Sequence, residues 1–217
     1  MARWAVFDVD GTLLPRISME KEFLNYLLKK KLLPFKNLTY CLFKALTTAL
    51  AHGWEEAIKS NKTYLKGLST ATIEKYADKC FRQHIALVLA QTGKQKIEVL
   101  RQEGHNILII SGSLAFLVRH LEPVYHPNFI ISTELEINNG YYSGNISGVH
   151  PYGRRKRIIL ENLQKELDID FDKSVVFADH HSDVHHMKLF GKAVAVNATS
   201  KLRNAALKYG WELDFWT

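Results

Sequence analysis

The sequence predicts an α/β fold, a parallel sheet interleaved with helices and carrying a wholly helical insertion between its first two strands. Three observations lead there. Short apolar runs recur that are continuous rather than alternating, which suits strands covered on both faces. Amphipathic helical stretches separate most of these runs. Residues 15–89 differ in kind, with helical periodicity and no convincing strand.

The first strand is Trp4-Ala5-Val6-Phe7, which meets a turn at Asp8 to Gly11. The insertion follows. Phe23, Leu24, Leu27 and Leu28 form the inward face of its first helix, and breaks near Pro34, Gly53 and Gly67 divide it into four helices. Ser69 or Thr70 can cap the last of them. Residues 94–103 predict a helix with Ile97 and Leu100 on one face, stopped by Gly104. The second strand is Ile107-Leu108-Ile109-Ile110, ending at Ser111-Gly112-Ser113, and residues 114–122 predict a helix. Phe129-Ile130-Ile131 is the third strand. Residues 135–148 then break the pattern, because Asn139-Gly140 between strand-like flanks reads as a type I′ hairpin. Residues 154–167, 183–190 and 201–209 predict helices around the strands Val175-Val176-Phe177-Ala178 and Ala193-Val194-Ala195-Val196.

Composition narrows the function. A chain of 217 residues with 47% hydrophobic and 24% charged residues suits one domain with an inserted subdomain, and argues against disorder. Cys41 and Cys80 show neither disulfide pairing nor zinc spacing, so a reduced compartment is expected. Asp8 and Asp10 interrupt the early apolar stretch, unlike a secretory signal. The longest uncharged, mostly apolar run, residues 106–118, is shorter than the roughly 18–20 residues of a membrane span. The expectation is a soluble cytoplasmic protein. Its net charge of +7 is unevenly spread: residues 15–91 hold 13 basic and 6 acidic residues, and the remainder balances. This excess, which includes Lys29-Lys30-Lys31, reads either as a solvated face or as attraction for a polyanionic substrate or acidic membrane.

The chemistry gathers at strand ends. Asp8 and Asp10, one residue apart, can both project into a cleft, attack phosphorus, manage protons and collect Mg²⁺; the same pair also suits a plain Asx turn. Ser111-Gly112-Ser113 offers hydroxyl and backbone donors to an anion. Gly153-Arg154-Arg155-Lys156 brings a cation to a helix start. Asp179 follows a strand, with Asp183 four residues on, where acids also serve as helix caps.

This order resembles the haloacid dehalogenase (HAD) superfamily, in its phosphoserine phosphatase-like branch (subfamily IB). Asp8-Val9-Asp10-Gly11-Thr12-Leu13-Leu14 is similar to the first motif, Ser111 to the second, Lys156 to the third, and Asp179 with Asp183 to the fourth. Thr133-Glu134-Leu135-Glu136, the glycines at 140, 144 and 148, and Val194-Ala195-Val196-Asn197 before Leu202-Arg203 also resemble the branch. The resemblance implies a Rossmann-like parallel sheet core of residues 1–14 and 92–217, and an inserted all-helical cap domain of residues 15–91. It further implies a Mg²⁺-dependent phosphatase that forms an aspartyl-phosphate on Asp8, with Asp10 as acid and base. Ser111, Gly112 and Lys156 would hold the phosphoryl oxygens. Asp8, the Asp10 carbonyl and Asp179 would hold Mg²⁺, and Asp183 would orient a metal water or Lys156.

The chain departs from that pattern in two places. His180, His181, His185 and His186 crowd the fourth motif; His181 and His185 have the helical spacing of a transition-metal pair, although a tolerated variant on a solvent-facing helix accounts for them as well. Phosphoserine phosphatases of this branch bind the substrate amine through a glutamate about nine residues after the nucleophile. Here that position is Ile17, with Glu20 and Glu22 out of register. The expected substrate is a small cytoplasmic phosphomonoester, with a lipid-like or nucleotide phosphate, or phosphotransfer, as alternatives. Intact acids and the lack of an aromatic-interleaved basic motif argue against a nucleic-acid-binding module.

Overall fold

The expected apolar runs become a single seven-stranded sheet: β1 (Trp4–Phe7), β2 (Asn106–Leu114), β3 (Phe129–Asn138), β4 (Tyr141–Ser147), β5 (Val175–Ala178), β6 (Lys192–Val196) and β7 (Glu212–Asp214). The order across the sheet is β4-β3-β2-β1-β5-β6-β7. Every pair is parallel except β3 with β4. This computed structural model describes the backbone of residues 1–217, and every side chain except those of His52, Glu55 and Glu56.

Successive strand residues face opposite sides, so continuous apolar runs feed two cores at once. Ala5, Phe7, Ile107, Ile109 and Phe177 pack on one face of the sheet. Val6, Leu108, Ile110, Val176 and Ala178 pack on the other, with Leu160 and Met187. Phe7 stacks on Phe177 with ring centroids 4.6 Å apart, and Trp216 lies 5.4 Å from Phe177.

Ten α-helices accompany the sheet among the described residues: α1 (Met19–Lys29), α2 (Phe35–His52), α3 (Trp54–Ser60), α4 (Thr70–Cys80), α5 (Gln91–Gln102), α6 (Ala115–Val118), α7 (Glu122–Tyr125), α8 (Arg154–Leu163), α9 (Val184–Met187) and α10 (Ser200–Tyr209). The first four form the insertion. Phe23 and Leu27 of α1 are buried as expected, whereas Leu28 turns outward. Ser69 takes the N-cap position of α4 without a side-chain cap bond, while Thr70 donates to the Gly140 carbonyl at 3.1 Å. The insertion thus leans on the β3–β4 hairpin. Gly144 is needed at that seam: it has φ +86, and a Cβ there would sit 3.1 Å from Thr63 Cα.

Several boundaries differ from expectation. β2 runs on through Ser111-Gly112-Ser113, where its register against β3 shifts between Ile110 and Leu114, so the motif lies in an irregular strand end rather than after it. β3 runs unbroken into the hairpin, whose Asn139 and Gly140 have φ of 51° and 80°, as a type I′ turn demands. The helix expected over residues 154–167 stops at Leu163, and that over 183–190 shrinks to α9 behind a 3₁₀ turn, His181–Asp183. β7 was not foreseen, because three exposed residues, Glu212, Leu213 and Asp214, carry no apolar run.

Candidate active site

The chain runs outward from β1 through β2 and β3 to β4, then returns to lay β5 on the other side of β1, and open α/β sheets bind ligands at the carboxyl edge of such a switch point. Asp8 leaves the end of β1 with its N–H donating to the Phe177 carbonyl at 3.0 Å. Asp179 leaves β5 beside it. Ser111 and Gly112 come from the end of β2, and Lys156 from the first turn of α8. A cavity of about 560 Å³ opens over this edge, lined by all five of these residues together with Asp10, Asp183, Arg16, Ile17, Lys59 and His180.

Lys156 is buried and its Nζ donates to Asp8 Oδ1 at 2.6 Å, with Asp183 Oδ1 at 2.9 Å. Burial alone would depress this lysine, but Asp183 and Asp8 hold it above its ordinary value, so it is a fixed cation. Asp8, Asp179 and Asp183 each offer a carboxylate oxygen within 4.8 Å of the others. One lysine cannot neutralise three such acids. Burial, then Asp8 and Asp183, push the Asp179 carboxyl up to about 8. Its Oδ1 is buried with no hydrogen-bond partner. An orphaned oxygen in a surplus of negative charge fits a hard divalent cation.

Gly11 makes the close packing possible. It has φ +85, and a Cβ there would lie 2.1 Å from Asp179 Oδ2. Its carbonyl accepts from Asn197 Nδ2 at 3.1 Å, and Asn197 Oδ1 accepts from the Trp216 N–H, so the C-terminal segment braces the loop that carries Asp8 and Asp10.

Asp10 lines the same cavity but stands outside the three-acid group. Its carboxylate accepts from Met19 N–H at 2.9 Å, Ser113 Oγ at 2.9 Å and Ser18 Oγ at 3.0 Å. It therefore holds the N-terminus of α1 to the end of β2. Burial raises its pKa against the pull of these donors. Thr133 Oγ1 donates to the Gly112 carbonyl at 2.7 Å and meets His150 Nδ1 at 2.7 Å. That pairing assigns the Nδ1–H tautomer to His150, and burial keeps the ring neutral.

The structure gathers Asp8, Asp10, Ser111, Gly112, Lys156, Asp179 and Asp183 at one edge. It does not gather the four histidines into one group, although the His180 and His181 rings lie 4.2 Å apart. His181 lies in the 3₁₀ turn rather than on a helix with His185, His185 is exposed and His186 is buried, so the reading of a solvent-facing helix fails for His186. Among the described residues the metal-capable group contains acids alone. Nor was the fate of Glu20 foreseen: it lines the cavity, but Lys62 Nζ and Tyr64 Oη already donate to its carboxylate. A lysine buried to 1% exposure, such as Lys62, leaves no mark in the sequence. Ser113 was within reach, as part of the Ser111-Gly112-Ser113 segment at the end of the second strand, whereas nothing in the sequence singled out Ser18.

A family model described as haloacid dehalogenase-like hydrolase matches residues 5–188. A phosphoserine phosphatase of Archaeoglobus fulgidus is 24% identical over 204 residues, covering 94% of this chain and 55% of that protein. The chain thus spans little more than half of that relative's length. Among solved structures, a protein with unknown function from Bordetella pertussis superposes with a TM-score of 0.83 at 18% identity, covering 99% of this chain and 98% of that one. A substrate-bound phosphoserine phosphatase complex gives 0.68 at 19% identity, covering 99% and 93%.

Proposed function

The chain belongs to the haloacid dehalogenase-like hydrolases, and from that premise we propose that it hydrolyses phosphomonoesters through a phosphorylated Asp8. The observation that carries this is the buried Asp8 carboxylate held 2.6 Å from Lys156, at a sheet edge where Ser111, Gly112 and Asp179 face the same cavity. An anionic nucleophile must meet an anionic phosphate there, and the fixed cation offsets their repulsion.

In the first step an Asp8 oxygen bonds to phosphorus, the ester P–O bond breaks, and Asp10 gives its proton to the departing oxygen. In the second step Asp10 takes a proton from water, whose oxygen attacks phosphorus and releases Asp8. Ser111, the Gly112 backbone and Lys156 hold the phosphoryl oxygens. Asp183 keeps Lys156 in place through the 2.9 Å contact. Asp8, Asp179 and the Asp10 carbonyl would hold Mg²⁺, which when bound neutralises the carboxylates and the transferring phosphoryl group. Residues 15–91 act as the cap domain over the core of residues 1–14 and 92–217, excluding water and selecting the leaving group.

Phosphoserine is not the substrate this site favours. Ile17 puts an apolar side chain in the cavity, and the Glu20 carboxylate is spent on Lys62 and Tyr64. Phosphate release from a panel of sugar, amino-acid, nucleotide and lipid phosphates tests the reading. Mg²⁺-dependent release that a chelator removes is expected; no release from any member by the parent would refute it.

A further inference from the structure

We propose that α2 and α3 form a surface that docks on an anionic lipid bilayer, and that the phosphomonoester drawn into the cavity is a lipid headgroup; this rests on the phosphatase reading above. Phe35, Leu42, Phe43, Leu46 and Leu50 of α2 are between 45% and 90% exposed. Their spacing puts them in one stripe of the helix, directed to solvent. Trp54 and Ile58, one turn apart on α3, are each 58% exposed.

The stripe is not a core face turned the wrong way. The opposite side of α2 is already fixed: Leu38 and Cys41 pack on the core, Asn37 Nδ2 donates to the Tyr64 and Lys66 carbonyls, and Asn61 Nδ2 donates to the Cys41 carbonyl. So large an apolar surface on one face marks an interaction site.

Charge selects the occupant. α2 contains no acidic residue, and residues 29–60 hold six lysines against Glu55 and Glu56. Lys29, Lys30 and Lys31 are exposed immediately before α2, and Lys36 is exposed on it. A second copy would set these lysines against their own kind, whereas an anionic bilayer meets them with opposite charge. An 18-residue helix about 27 Å long, apolar along one stripe and flanked by lysines, has the pattern of a helix that lies in the interface. Among the described residues no helix is long and apolar enough to cross a membrane.

The same surface reaches the chemistry. Lys59, next to the exposed Ile58 on α3, lines the catalytic cavity. One short helix therefore joins the apolar surface to the mouth of the site, where a phosphorylated headgroup can enter while its acyl chains stay in the bilayer.

The test is flotation of the full chain with phosphatidylcholine vesicles, with and without phosphatidylglycerol, beside hydrolysis of a soluble aryl phosphate and of phosphatidic acid in the same vesicles. The parent should float only with anionic vesicles. Leu42→Glu/Leu46→Glu should weaken flotation roughly tenfold or more. Lys29→Gln/Lys30→Gln/Lys31→Gln should weaken it by about fivefold for each lysine at the surface. Both variants should keep the parent rate on aryl phosphate and lose rate on phosphatidic acid. A parent that does not float, variants that float like the parent, or a parent dimer that Leu42→Glu/Leu46→Glu dissociates would each overturn the proposal. Failure of the phosphatase reading would show separately, as floating protein that leaves aryl phosphate intact.

Discussion

Replacing Gly11 with alanine should damage catalysis far more than stability. The position has φ +85, where a Cβ costs about 1–2 kcal/mol. In a chain of this size that lowers Tm by about 2–8 °C. The larger effect is local. The added Cβ would lie 2.1 Å from Asp179 Oδ2, whereas real Cβ atoms essentially never come within 3.0 Å, so the carboxylate must retreat. The shift is close to 1 Å, and a displacement of about that size in a catalytic array costs roughly 100-fold in rate. Gly210→Ala is the control, with φ +69 and nothing within 4 Å of the added carbon. Initial rates on an aryl phosphate with Mg²⁺, read beside thermal melts, separate the two effects. Both variants should melt lower, and Gly11→Ala alone should lose turnover. Parent-level activity in Gly11→Ala would refute the argument that this glycine exists to admit Asp179.

Lys156→Met strips the cation from buried Asp8 and Asp183 and should cost about 3–5 kcal/mol in a urea melt; an unchanged midpoint would show that the pair is not coupled to folding. Because the Asp179 carboxyl is raised to about 8 from an ordinary 3.8, the folded state binds its proton more tightly than the unfolded state. Stability contributed by this group therefore falls as pH rises from about 4 towards 8. The metal-free chain should lose Tm across that window, Asp179→Asn should flatten the loss, and Mg²⁺ should raise Tm more at pH 8 than at pH 5; a parent and Asp179→Asn with parallel pH profiles would contradict this. Ser113→Ala removes a donor to the charged form of Asp10, which raises its pKa, so the basic limb of kcat/KM should move to higher pH; a limb that stays or moves down would exclude Asp10 as the acid.

The positions of Asp8 and Asp179 were legible because both directly follow strands, and strand ends show in apolar runs, while Gly153 marked the helix start that carries Lys156. Phe7 before Asp8 and Ala178 before Asp179 fixed both positions at one sheet edge. What supports those residues was hidden, since it depends on contacts between distant segments. Asp10 binds Ser113, 103 residues away, and Lys62 reaches Glu20 across 42. Short elements escaped for another reason: β7 has three exposed residues, and α9 only four, too few for any period to register. Periodicity gave the helices of the insertion but not their buried sides. Leu28 lies one turn after Leu24 on the face expected to turn inward, yet it is exposed, and the apolar stripe of α2 has the same helical period as a core face.

The central claim is that Asp8 carries the phosphoryl group between the two steps. Brief incubation with a labelled phosphomonoester and Mg²⁺, followed by acid quench and peptide mapping, tests it most directly. The account predicts label on the peptide containing Asp8, released by hydroxylamine as an acyl phosphate is, and lost together with turnover in a folded Asp8→Asn variant. Label on a histidine or a serine, or turnover that survives Asp8→Asn, would contradict it.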